Sequence, residues 1–410
     1  MAGKRKDSKG RLLRRGERQR EDGTYEFRYQ KNGGKRKSVY SSSLEALRKL
    51  EDQITMDRID GIRFNADTVT LDDVYGVWCR TKKGVKDNTF QNYKYMYTQF
   101  ISPEIGKCKI CKLKKSDVRQ FYNRVVDGGG LKLATAESMH TILHQVLQLA
   151  VDDNYIRTNP ATGALKELKA SHQYDSEKRI ALTVDQQKLL LSYLDKSEEY
   201  RHWKPIIEIF LGTGLRVGEL TGLRWEDVDF ENGVIDVNHT LVFYNKDHKQ
   251  RYAINTPKTQ SSRRKVPMLD SVRNAFLQIK KEQDEKGLYC TTVVDGYQDF
   301  IFCNRFGEVL NLGVLNKACW RIMRDCNDEI WDNHEGDDMP LLLPRFSCHT
   351  FRHTFTTRMC ESGMNIKVIQ GVLGHTDIST TMNIYVDITK ELEQTAMGDL
   401  SRYLEEKKIS

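Results

Sequence analysis

The chain has no apolar run approaching the ~20 residues of a membrane helix; its longest apolar stretches are broken by charge. A membrane-spanning protein is therefore not expected. The N-terminal MAGKRKDSKGRLLRRGERQRED is basic but has no apolar h-region, so no secretory signal is visible. Nine cysteines are scattered without the spacing of a disulfide framework. Cys108 and Cys111 form one C-x-x-C, and no second pair lies nearby to complete a zinc site. Reduced thiols in a cytoplasmic protein are the expectation. No internal repeat is apparent.

What is present is an uneven charge. Residues 1–40 carry 14 Lys/Arg against 5 Asp/Glu, a net of +9, whereas the other 370 carry 51 against 52. A basic head on a near-neutral body points to a segment that meets polyanions such as nucleic acid. A solubilising tail would show no pattern, but this head is patterned. GRLLRRGERQR, TYEFRYQ and KRKSVYSSS read as three strands joined by the turns EDG and KNGG, and the second alternates Tyr25, Phe27 and Tyr29 with Glu26 and Arg28. LEALRKLEDQITMDRIDGI follows as a helix with Leu44, Leu47, Leu50 and Ile54 on one face. Such a module can present a sheet to DNA. Arg14, Arg15, Arg18, Arg28, Lys35, Arg36 and Lys37 are its candidate contacts.

Four helical patterns fill Thr70 to Leu165, and the polar KELKASHQYDSEKR then reads as a connector. A further helix opens at Thr183 and Gln186, spaced as a capping box. The expected architecture is multidomain: a small α+β domain of three strands and a helix (1–66), an all-α domain (67–165), a linker (166–179), and a mainly α domain with a small β-sheet or hairpin (180–410).

Candidate chemistry lies in the last of these. Arg216 stands among Gly212, Gly214 and Gly218, with Glu219 available as an ion-pair partner. YAINTPKTQSSRRKVPMLD reads as a β-hairpin with Lys258 near its start; Lys258, Arg263, Arg264 and Lys265 form a basic edge, of a kind that is mostly solvated, although a hairpin lysine can also reach into a neighbouring phosphate site. In SCHTFRHTFTTRMCESG, Phe351, Phe355 and Met359 recur every four residues and should face a core. His349 and Arg352 then lie near that helix's N-terminus, where free N–H groups favour an anion. NIKVIQGVL is a second helix, stopping at Gly374 just before His375, and Tyr385 follows ten residues later.

His349 and His353 have helical metal-ligand spacing, but Thr350 stands where zinc proteases place a glutamate, and no carboxylate cluster lies between His349 and His375. A phosphate reading uses more of the residues. Arginines match phosphate oxygens with paired hydrogen bonds and stabilise charge that builds in a transition state. A tyrosine, with an ordinary pKa of ~10, needs help losing its proton as it attacks, and a leaving 5′-oxygen needs an acid such as lysine. No metal and no cofactor are called for.

GTGLRVGEL, TPKTQSSRRKVP, HTFRHTF, LGH and TTMNIYVD, in this order, closely resemble the tyrosine recombinase (phage-type integrase) family from TLDDVYGVW to the C-terminus. The first 65 residues look like the arm-binding domain of conjugative-transposon integrases. The resemblance implies that Arg216 and Arg352 clamp the scissile phosphate and that Lys258 protonates the leaving 5′-hydroxyl. It further implies that His349 assists proton transfer, His375 hydrogen-bonds the phosphate, and Tyr385 attacks to form a 3′-phosphotyrosyl link. Strand exchange through a Holliday junction, core and arm DNA sites, a homotetramer on DNA and a DNA-bending excisionase partner are implied with it. Leu392, Met397, Leu400 and Leu404 form an apolar stripe in the tail that fits packing on a neighbouring protomer or on its own domain. A type IB topoisomerase shares the chemistry but has no use for an arm-binding module. A non-catalytic DNA binder has no use for the tyrosine.

Overall fold

The computed structural model describes residues 5–30, 36–63, 66–172, 181–256, 263–336, 338–374, 378–379 and 382. The chain divides into two compact units, residues 1–176 and 177–410.

In the first unit, β1 (Glu17–Gln19), β2 (Tyr25–Gln30) and β3 (Arg36–Ser41) form an antiparallel sheet in that order. The strand expected over residues 10–20 is cut to three residues because the chain turns around Asp7, whose carboxylate accepts the Lys9 and Arg11 amides at 3.0 and 2.7 Å. Tyr25 and Phe27 are buried as their alternation predicts, against Leu44 and Leu47 of α1 (Leu44–Ile59). Leu50, expected on that face, is exposed, while Ile54 one turn further still packs on this core: at helical spacing Leu50 falls at the margin of the stripe that Leu44, Leu47 and Ile54 define. α1 starts where Ser43 accepts the Ala46 amide at 3.1 Å.

The four predicted helices are α2 (Leu71–Thr81), α3 (Asp87–Met96), α4 (Lys115–Asn123) and α5 (Leu133–Asp152). α3 runs on into a wider-wound π-helical stretch, Tyr97–Gly106, which accommodates Pro103. Their apolar faces meet in one core around Leu71, Ile101, Phe121 and Ile142. The expected connector begins instead as α6 (Lys166–Ser171), because Leu168 reaches this core and pays for helical order. Arg157 ties α1 to the helical module through Asp57 and Asp60, at 2.6 Å each.

The second unit opens with α7 (Val184–Lys196), capped by Thr183 and Gln186 as predicted. α8 (Lys204–Thr213) and α9 (Val217–Thr221) precede β4 (Val228–Asp229), β5 (Val234–Val237), β6 (Thr240–Lys246), β7 (Lys249–Asn255) and β8 (Arg264–Pro267). Then come α10 (Asp270–Lys286), α11 (Leu312–Asp332), α12 (Cys348–Glu361) and α13 (Ile366–Leu373). Among the described residues, the two arms of the hairpin expected over residues 252–270 pair with other strands rather than with each other. β7 pairs back with β6 across a two-residue turn, Asp247 and His248, both at positive φ. β8 pairs with β5 instead, setting Val266 opposite Ile235, and both are buried. Phe351 of α12 packs on Phe210 of α8, ring centroids 5.8 Å apart, which brings the ends of these helices together.

Among the described residues, no helix is long and apolar enough to cross a membrane, and no group of three His, Cys, Asp or Glu is placed to hold a metal ion.

Candidate active site

With Phe351 anchored in the core, the next residue of α12 is turned inward. The Arg352 side chain is buried, donating Nη1 to the Gly214 carbonyl at 2.6 Å and Nη2 to the Leu373 carbonyl at 2.8 Å. Gly214 ends α8 in the left-handed conformation, φ 60°, and a Cβ there would lie 2.5 Å from Phe355 Cδ1. Only glycine lets the chain turn here and aim its carbonyl at Arg352.

Two residues later Arg216 caps α9. Its amide donates to Glu219 Oε2 at 2.9 Å and its Nη1 to Oε1 at 2.8 Å. The ion pair read from the sequence therefore exists, yet the Arg216 side chain stays 41% exposed. Glu219 is shared. Arg264 of β8, itself buried, donates Nη2 to Oε2 at 2.8 Å and Nη1 to Oε1 at 3.2 Å.

The same three arginines meet at the end of α13. Val372 accepts from Arg264 Nε at 2.7 Å, Leu373 from Arg352 Nη2 at 2.8 Å, and Gly374 from Arg216 Nη2 at 3.4 Å. Helix-end carbonyls have no intrahelical donors and form the negative end of the helix dipole, so cations suit them. Three guanidiniums against one carboxylate leave the cluster with a formal charge of +2. Burial pushes the Glu219 carboxyl up, but the guanidiniums of Arg264 and Arg216 outweigh it and hold it at about 2. Burial lowers the Arg352 guanidinium to about 9, with Arg216 and Arg264 acting in the same direction. An excess of buried positive charge is what a phosphate group would neutralise.

His349 lies exposed in the first turn of α12, its ring edge-on to that of His353 at 4.8 Å between centroids. Lys258, His375 and Tyr385 lie outside the described residues, as does the tail stripe of Leu392, Met397, Leu400 and Leu404. Of the predicted set, Arg216 and Arg352 are brought together on the end of α13. Arg264 was expected on a solvated edge and is instead at the centre. The alternation Arg-Lys-Val-Pro in β8 was the available signal, since it puts Arg264 on the side of Val266.

A second candidate surface is the outer face of the N-terminal sheet. Arg18 stands opposite Glu26, Arg28 opposite Ser38 and Arg36 opposite Gln30. Glu26 is buried beneath Arg18 and Arg28, at 2.5 and 3.3 Å, and accepts from Ser38 Oγ at 2.6 Å. The Ser38 hydroxyl and these guanidiniums hold its carboxyl at about 2 against the upward push of burial. Arg20 lies over the Tyr40 ring on this sheet, 5.4 Å from its centroid. Arg14 and Lys37 are not on this face. Arg14 reaches Glu51 and Asp52 of the helix behind the sheet, and Lys37, opposite Tyr29, bonds Asp67 at 2.5 Å. Strand alternation puts Lys37 on the inner side. Arg15 is exposed in the turn before β1, and Lys35 lies outside the described residues.

Residues 181–391 match the model of the phage integrase family. Residues 1–57 match the DNA binding domain of Tn916 integrase, and residues 70–126 the phage integrase N-terminal SAM-like domain. The transposase from transposon Tn916 of Enterococcus faecalis is 30% identical over 422 aligned residues, covering 99% of this chain and 98% of that protein. A XerC-like tyrosine recombinase of Caldanaerobacter subterraneus is 26% identical, covering 89% of this chain and 91% of its own. The Tn1549 transposon integrase, solved in complex with transposon right end DNA, aligns with a TM-score of 0.68 and 32% identity over 80% of this chain and 100% of that one.

Proposed function

Because the chain belongs to the phage integrase family of tyrosine recombinases, enzymes that cleave and rejoin DNA at specific sites, we propose that it integrates and excises a mobile element of the conjugative-transposon kind. Tyr385 attacks the scissile phosphate and forms a 3′-phosphotyrosyl link. Lys258 protonates the departing 5′-oxygen, His349 assists proton transfer at the nucleophile, and His375 hydrogen-bonds the phosphate. Arg216 and Arg352 clamp the phosphate and stabilise the charge that builds on it. The 5′-hydroxyl of a partner duplex reverses the step, so exchange runs through a Holliday junction with the bond energy kept in the link.

One observation carries this reading. Arg216 and Arg352, far apart in sequence, are gathered with a net positive charge on the end of α13, one residue before His375. Supporting it, the Tn1549 integrase was solved on DNA of two kinds, a transposon right end and a circular intermediate. The outer sheet face with Arg18, Arg28 and Arg36 is assigned to arm-type DNA and the helical module to core-type DNA. The domain limits proposed are residues 1–66, 67–165 and 180–410. Assembly as a homotetramer through the tail, action in the cytoplasm and control of direction by a DNA-bending excisionase complete the proposal.

A nicked duplex carrying the element's end, mixed with the protein in EDTA, tests it. An SDS-resistant protein–DNA adduct is expected, and it should be absent with Tyr385→Phe. A wild-type protein that binds this DNA and forms no adduct would overturn the assignment.

A further inference from the structure

We propose that Arg264, which is not one of the six residues assigned to the reaction, is a positioning residue for strand cleavage. It locks Glu219 and the end of α13 into one frame, and through them sets where Arg216 and Arg352 point. This inference rests on the function proposed above.

The bonding around Arg264 is complete and directional. Its three side-chain nitrogens are all used: Nη1 and Nη2 on the two oxygens of Glu219, and Nε on the Val372 carbonyl. A guanidinium held at three points has a fixed plane. The side chain is buried, and with every nitrogen turned to protein acceptors it acts through its neighbours rather than on DNA.

Those neighbours are the ones that matter. Glu219 accepts from Arg216 twice and from Arg264 twice, so each arginine limits how far the carboxylate can follow the other. Without Arg264, the buried carboxylate has only Arg216 left as its cation, and Arg216 is drawn onto it and away from the phosphate. The Val372 carbonyl loses its donor at the same time, next to the carbonyls that orient Arg352 and Arg216. The chain continues from there directly to His375. Gly374 reports the tightness of the fit: a Cβ there would lie 2.9 Å from Arg264 Cδ and 3.0 Å from Nη1.

The test is the rate of covalent adduct formation at saturating DNA, for wild type, Arg264→Lys, Arg216→Lys and the double variant. Lysine keeps the charge but has all its donors on one nitrogen, so it cannot span both Glu219 oxygens and the Val372 carbonyl in one fixed plane. Arg264→Lys is expected to bind DNA as wild type does, to be folded by circular dichroism, and to form adduct about 30- to 100-fold more slowly. The double variant should fall within about threefold of Arg216→Lys alone, because both changes act through one carboxylate. A rate for folded Arg264→Lys within about threefold of wild type overturns the proposal, as do losses that simply multiply in the double variant. If Arg264→Lys does not fold, Gly374→Ala, which crowds the intact guanidinium and also strains a left-handed position, takes its place, and an unchanged adduct rate with it again overturns the idea. Absence of adduct with wild type would instead count against the proposed function itself.

Discussion

Arg264 and Glu219, 45 residues apart in sequence, are joined by a two-point salt bridge in the interior of the second unit, Nη2 to Oε2 at 2.8 Å. A buried pair of this kind contributes little net stability against an apolar substitute, but breaking it leaves a buried charge uncompensated. Its presence is better explained by orientation than by stability.

Acid should reveal Glu219. Its folded pKa, about 2, lies below the ~4.3 of an unfolded glutamate, so ionisation favours the folded state. The contribution, roughly 3 kcal/mol, is present above pH ~4.5 and lost as pH falls toward 2. Urea denaturation of wild type and Glu219→Gln at pH 6 and pH 3 measures it. The wild type should lose more stability than the variant over this range; parallel losses would remove the assignment.

Two glycines near the arginines should respond oppositely to alanine. Gly214→Ala puts a Cβ into Phe355 at a left-handed position, so it should lower stability by at least about 1–2 kcal/mol and slow adduct formation. Gly371, inside α13 with open space around it, should tolerate alanine with a gain of up to about 1 kcal/mol from helix propensity. Thermal melts and adduct rates of the two variants make the comparison.

On the N-terminal sheet, face decides function. Arg28→Ala and Arg36→Ala should each weaken arm-type DNA binding and reduce the slope of log K against log salt by about one. Lys37→Ala and Arg14→Ala, on the helix side, should leave that slope unchanged. Titrations at several salt concentrations with fluorescently labelled duplex read this directly. A slope that falls equally for all four would mean that the sheet face does not discriminate.

Thiol reagents should distinguish Cys108 and Cys111 from the other seven cysteines. Only these two are exposed, whereas Cys290, Cys319, Cys326, Cys348 and Cys360 are buried. The hydrogen bond with the adjacent Cys348 thiol, and burial with it, also raise Cys319 well above the usual thiol range, which keeps it unreactive. A native titration should show about two fast equivalents, and the rest on unfolding.

Much of this was readable from periodicity. Tyr25 and Phe27 announced the inner face of β2, Thr183 and Gln186 the start of α7, and Phe351 and Met359 the buried side of α12. What escaped depended on partners distant in sequence. Glu26 reads as an outward polar residue, and so it is, but Arg18, Arg28 and Ser38 close over it from neighbouring strands. Arg264 sits in a run of three basic residues that reads as solvated; its alternation with Val266 hints at the inward side, but the partner that holds it there, Glu219, is 45 residues away. The segment after β7 looked like half of a hairpin because local pattern cannot say which strand a strand will choose, and the turn at Asp247 and His248 had already given β7 a partner in β6. Leu50 lies at the margin of the helical stripe and stays exposed, although Ile54 beyond it packs on the sheet.

The carbonyls that hold the arginines carry one more consequence. A free arginine side chain has about 2 kcal/mol of rotameric freedom to lose on docking to an anion. Arg352, held by Gly214 and Leu373, has already given up that freedom when the chain folds. If Arg352 clamps the scissile phosphate as proposed, that phosphate would meet a receptor whose entropy of ordering was settled beforehand, leaving more of the attraction for the moment when charge on its oxygens is greatest.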